Sequence, residues 1–105
     1  MEVGTTVRVP CTLSRGGFAH ERVFWIASPH GGRYRGVAFV KYCLQQDGSR
    51  LPDGEPPLGS TVDGYVEARV TARIGGLLTI QVPDGELCDI DPAILKDFGH
   101  VLVGS

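Results

Sequence analysis

Nothing in this chain of 105 residues stays apolar for long: the unbroken apolar runs are a handful of residues each. A membrane-crossing helix needs eighteen or more, so none is expected. Cysteine is scarce and odd in number (Cys11, Cys43, Cys88), with no C-x-x-C pair. That excludes a disulfide framework or a ready zinc site and predicts reduced, buried thiols. His20, His30 and His100 stand at no metal-ligand spacing from these cysteines, so no metal and no cofactor is expected. The opening segment MEVGTTVRVP holds neither a basic leader nor an apolar stretch, and the expected location is the cytoplasm. Aromatics make up only 8% of the chain, with a single tryptophan, Trp25.

Glycine and proline are what the chain has in plenty, 15 and 7 residues respectively. They cut it into short segments, the mark of an all-β domain with tight turns. An apolar share of 42% is enough for a core, and the length suits one domain. The clearest strand is TVDGYVEARVTARI, residues 61–74. Val62, Gly64, Val66, Ala68, Val70, Ala72 and Ile74 fall on one face, and Asp63, Tyr65, Glu67, Arg69, Thr71 and Arg73 on the other. LLTIQV follows at 77–82 after Gly75-Gly76. A two-residue turn there would set Thr71 against Ile80 and mix the faces. The expectation is therefore Val70 opposite Ile80, with a three-residue loop Ile74-Gly75-Gly76 or an equivalent bulge nearby.

Further strands are expected at 5–13, 22–27, 33–44, 86–90 and 100–103. PDG at 83–85 reads as a turn, with proline second and glycine last. DPAILKDFG reads as a short helix over 91–98, with Asp91 as N-cap, Pro92 in the first turn and Gly99 past the end. Residues 45–60 hold three prolines and three glycines without apolar periodicity, so they read as a connection between two β meanders, 1–44 and 59–103. GTTV at 4–7 and GSTV at 59–62 echo each other, and I-x-x-P-x-G recurs at 26–31 and 80–85. These echoes suggest a repeated meander, although turn chemistry alone would produce similar strings. The order strand, turn, strand, turn, strand, short helix, strand over 59–103 resembles a small SH3-like barrel. That resemblance is one of architecture and carries no functional residue. The predicted fold is a mainly antiparallel barrel or curled sheet of six or seven strands with one short helix.

Charge is unevenly spread. Residues 1–52 carry seven basic and three acidic groups, whereas residues 53–105 carry three basic and nine acidic ones. Interleaving of the halves in one barrel would dissolve this split into cross-strand neighbours. In RYRGVAFVKYCL, period two places Arg33, Arg35, Val37, Phe39 and Lys41 on one face, with Trp25 on the preceding strand. Apolar residues on both faces of 22–27 and 33–44 exceed what one small core needs, and such surplus is commonly buried by association. The expected function is thus a non-catalytic binding module engaging a protein partner or itself, most simply as a homodimer. The same cations, with Phe39 and Trp25 to stack bases, make a nucleic-acid interface the alternative. The overall acidity speaks against it. A third reading places a small-molecule or enzymatic site at an oligomer interface, with His30 or Glu86 acting there. No serine, cysteine or carboxylate is tied to His30 by a recognised spacing, Gly31-Gly32 lacks the rest of a phosphate loop, and Asp84, Glu86, Asp89 and Asp91 do not follow the order of a calcium loop.

Overall fold

Alternation of apolar and polar side chains decides where the strands run, and burial follows that alternation closely. The computed structural model describes residues 2–95. Among them lie seven strands: β1 Thr6–Arg15, β2 Glu21–Ala27, β3 Arg33–Phe39, β4 Cys43–Gln45, β5 Thr61–Ile74, β6 Leu77–Gln81 and β7 Leu87–Ile90. They form one antiparallel sheet in the order β3-β2-β1-β5-β6-β7, with β4 paired to β5, and the sheet curls into a nearly closed small barrel. Its interior takes Val7, Val9 and Leu13 from β1, Phe24 and Ile26 from β2, Val66 and Val70 from β5, and Ile80 and Ile90 beyond. Each of these is essentially inaccessible to water, which is the main source of stability in so small a fold.

Strand β5 organises the sheet. One edge pairs with β1 from Thr6↔Arg69 to Ser14↔Thr61. The other takes β4 at Cys43↔Val66 and then β6 from Arg69↔Gln81 onward. Val70 faces Ile80 as the faces require, but the turn has two residues, Ile74 pairing directly with Leu77. Gly75 and Gly76 both take positive φ, 59° and 81°, the geometry of a tight hairpin. The mismatch is absorbed by a bulge between Val70 and Ala72, where the Thr71 hydroxyl donates to the Thr79 carbonyl at 3.2 Å. The extra residue reverses the faces beyond it. Ile74, expected inward, is therefore 70% exposed at the tip.

The segment expected as one strand over 33–44 is broken. β3 ends at Phe39, a 3-10 turn covers Val40–Tyr42, and β4 begins at Cys43. The short helix is a 3-10 turn at Pro92–Leu95, with the Asp91 carboxylate accepting the Ala93 N–H at 2.9 Å. Positions 96–98 of the expected helix and the expected strand at 100–103 lie outside the described residues.

The 45–60 connection is anchored across one mouth of the barrel. Leu51 and Pro56 are buried in it. The Arg15 guanidinium donates to the carbonyls of Gly54 (2.8 Å) and Pro56 (3.2 Å). The fully buried Arg22 donates to those of Asp53 and Glu55 from the same segment, and to Ala19 and Glu21. Opposite, the barrel comes together where β3 meets the β6–β7 turn. The Asp84 carboxylate accepts the Val37 N–H at 3.2 Å. Beside it, burial first, then the charges of Asp84, Cys88 and Glu86, push the Tyr34 hydroxyl up to about 12.

Candidate functional site

The outer face of β2 and β3 carries most of the residues singled out in the sequence. Register places Ala27 opposite Arg33, Trp25 opposite Arg35, Val23 opposite Val37 and Glu21 opposite Phe39. Arg33 and Arg35 are exposed, Val37 and Trp25 are half-buried, and Phe39 is 61% exposed. The Arg33 guanidinium lies over the Trp25 ring, 5.5 Å from its centroid, a cation–π contact that holds both side chains in place. Five of the six candidates therefore share one surface. Lys41 departs from it, because the 3-10 turn carries it off the strand, and its Nζ lies 5.1 Å from the Tyr42 ring centroid.

The sequence also overstated the available positive charge. Arg15 and Arg22 are occupied by carbonyls of the 53–56 segment, and the Arg50 guanidinium donates to the Lys41 carbonyl. What remains on this face is Arg33 and Arg35. Trp25 and Phe39 do not form a continuous stacking surface. They lie on adjacent strands four steps apart, with Val23↔Val37 as the pair between them on this face, roughly 13 Å along the strands at the usual rise.

Beside Trp25 the sheet forms a depression of about 350 Å³ lined by Pro10, Thr12, Trp25, Arg33, Asp63 and Tyr65, among others. Its floor is β1. Thr12 stands between Trp25 on one side and Asp63 on the other, and Pro10 stands opposite Tyr65. The Thr12 hydroxyl donates to Asp63 at 3.4 Å. Aromatic rings and charges thus alternate around a floor of small side chains, a composition suited to anchoring a polypeptide segment. Sequence reading missed Tyr65 and Asp63 as site residues. Period two placed them on the solvent face of β5, but nothing local says that this face adjoins Trp25.

His30 sits exposed in the turn between β2 and β3, its own N–H donating to the Ser28 hydroxyl. Among the described residues no group of three metal-ligating side chains converges. Burial pushes the Cys43 and Cys88 thiols up to about 11, and Cys11 higher still, leaving all three protonated and weakly nucleophilic at neutral pH. In comparisons with known proteins, the chain matches no family model, no curated protein and no solved structure.

Proposed function

We propose that this chain is a non-catalytic interaction module that docks a protein partner on the outer face of β2 and β3. The observation that carries the reading is the Trp25–Arg33 stack, set on an exposed sheet face beside Phe39 and opening onto the Tyr65–Asp63 depression. Tryptophan, tyrosine and arginine are the residues on which protein interfaces most often concentrate their binding energy. Here they are presented on strands, so little conformational entropy is lost when they are covered. The raised thiols support a binding role over a nucleophilic one.

The test is differential capture from cell extract, with wild type and the double variant Trp25→Ala, Phe39→Asp as matched baits. An Arg73→Glu bait, altered at the far hairpin, serves as control. Proteins retained by wild type and by the control but lost by the double variant are the expected result. Identical capture by all three baits would discard the face as an interface. Trp25 fluorescence during titration with single-stranded RNA and DNA gives the competing outcome. Saturable binding that weakens steeply with salt would replace the protein reading with the nucleic-acid one.

A further inference from the structure

One row of outward side chains runs straight across four strands: Arg35 on β3, Trp25 on β2, Thr12 on β1 and Asp63 on β5. A cation stands at one end and a carboxylate at the other, about 14 Å apart at ordinary strand spacing. No direct ion pair closes that distance. Neither end has an opposite charge beside it on this face. Arg35 is flanked by Arg33, Val37 and Trp25, and Asp63 by Thr12, Thr61 and Tyr65. Asp84, the carboxylate at the β3 edge, already accepts the N–H groups of Val37 and Glu86. Asp63 is exposed and accepts the Thr12 hydroxyl at 3.4 Å, which is long for such a bond. Between the two ends lies the depression of about 350 Å³, with Trp25 and Tyr65 in its walls.

We infer that the partner docks here through an extended polypeptide segment laid across the strands, with an acidic side chain on Arg35 and Arg33, a basic side chain on Asp63, and an apolar side chain between them in the depression. This rests on the interaction reading above and specifies the chemistry of its partner. The separation of the charges sets the spacing. An extended chain rises about 3.3 Å per residue and returns to the same face every second residue. Acid and base therefore stand about four residues apart, with the apolar residue midway. A helix brings residues at that spacing to within about 6 Å of each other and cannot bridge the row. A nucleic-acid strand would set a phosphate against Asp63, whereas a segment carrying both signs satisfies both ends. The opposite charges also fix the direction in which the segment lies and disfavour uniformly acidic or uniformly basic segments. Trp25 and Arg33 are already stacked, so covering them costs little further ordering.

Trp25 is the single tryptophan, so its emission reports on this row directly. The full chain is titrated with the blocked peptides acetyl-Glu-Ser-Leu-Ser-Arg-amide and acetyl-Arg-Ser-Leu-Ser-Glu-amide, and with versions in which Gln replaces Glu or Arg. The expected result is saturable binding of one order with a midpoint of about 1 mM, the strength of two exposed ion pairs and one apolar contact. Each Gln version should bind about fivefold more weakly. Asp63→Asn should lose the preference for Arg over Gln while keeping that for Glu, and Arg35→Gln should lose most of the preference for Glu. Asp63→Arg should favour a peptide with Glu at both ends. Thermal melts verify that each variant is folded. If Asp63→Arg unfolds the chain, Asp63→Asn with the Gln peptides still closes the cycle. No saturable binding of either order by wild type, Gln versions that bind as tightly, or a preference for Arg that survives Asp63→Asn overturns the inference. If the peptides fail while Trp25→Ala, Phe39→Asp still loses captured proteins, the β2–β3 face stands as an interface and this occupant alone falls.

Discussion

Arg22 shows most sharply how much a single side chain can decide in this barrel. It points inward from β2 and is wholly buried, yet its guanidinium meets four main-chain carbonyls, those of Ala19, Glu21, Asp53 and Glu55. Arginine's planar fork of five donors can serve several directions at once, which offsets the cost of removing the charge from water. Burial, followed by the nearby charge of Arg15, lowers its pKa from the ordinary arginine value. Lysine cannot reproduce the fork. Arg22→Lys should cost about 3 kcal/mol in chemical denaturation, given the usual worth of hydrogen bonds to charged groups. It should also open residues 51–57 to hydrogen exchange and proteolysis. A loss under about 0.5 kcal/mol, the size of an ordinary surface change, would show that the carbonyls are satisfied without it. By sequence Arg22 is indistinguishable from Arg33, since each is an arginine at the start of a strand. Their opposite fates depend on carbonyls more than thirty residues away.

At the scale of elements, close backbone approach replaces side-chain pattern as the governing fact. A Cβ placed on Gly64 would lie 2.2 Å from the Leu44 carbonyl oxygen, and one on Gly36 would lie 2.3 Å from Cζ of Phe24. These distances are similar, but the obstacles are not. The Phe24 ring can shift with local repacking, whereas the Leu44 carbonyl belongs to β4, which pairs with β5 at that point. Gly36→Ala should therefore lose about 1–3 kcal/mol, the usual overpacking cost. Gly64→Ala should lose more and detach β4, seen as faster amide exchange at residues 43–45. Equal losses with β4 protection unchanged would refute this ordering. Period two identified Gly64 as inward-facing, yet it could not show that glycine is needed there because a second strand crosses. The break of the 33–44 strand at Phe39 has the same origin. The chain ends β3 and turns through Val40–Tyr42 so that β4 can pair with β5, and that destination is not written in local propensity.

For the whole molecule, the sheet order reads alike from both ends. Two three-stranded meanders, β1–β3 and β5–β7, join through their first strands, and the turn before β7 reaches β3 through the Asp84 carboxylate, which accepts the Val37 N–H. Burial of titratable groups in the barrel has a pH signature. The folded chain holds the Cys43 and Cys88 protons to about pH 11 and the Tyr34 proton to about 12, against ordinary values of 9.0 and 10.0. Between these limits the unfolded chain releases protons that the folded chain retains, so alkali favours unfolding. The melting temperature should change little up to pH 8.5 from these groups, then fall progressively between pH 9 and 12. Cys88→Ser with Tyr34→Phe should flatten much of that fall. A melting temperature insensitive to pH over that window would mean that water reaches these groups and that burial does not raise them.

The all-β class, the bounds of β5, the in-and-out order of most of β5, the Asp91 cap and the shared face of Arg33, Arg35, Val37 and Phe39 were legible in the sequence. These follow from sterics and solvation acting over one to four residues, where the chain carries its own reference frame. What only the folded chain settles is that the 53–56 segment occupies Arg15 and Arg22, that the expected bulge falls at Thr71 and so turns Ile74 outward, and that Tyr65 and Asp63 stand beside Trp25. The bulge is set by the β5–β6 register, and the other outcomes depend on partners more than thirty residues away, as in Arg22 with Asp53 and in Pro10↔Tyr65 and Thr12↔Asp63. Such pairings are selected by burying the whole core at once, and no short stretch of sequence holds enough of that free energy to reveal them.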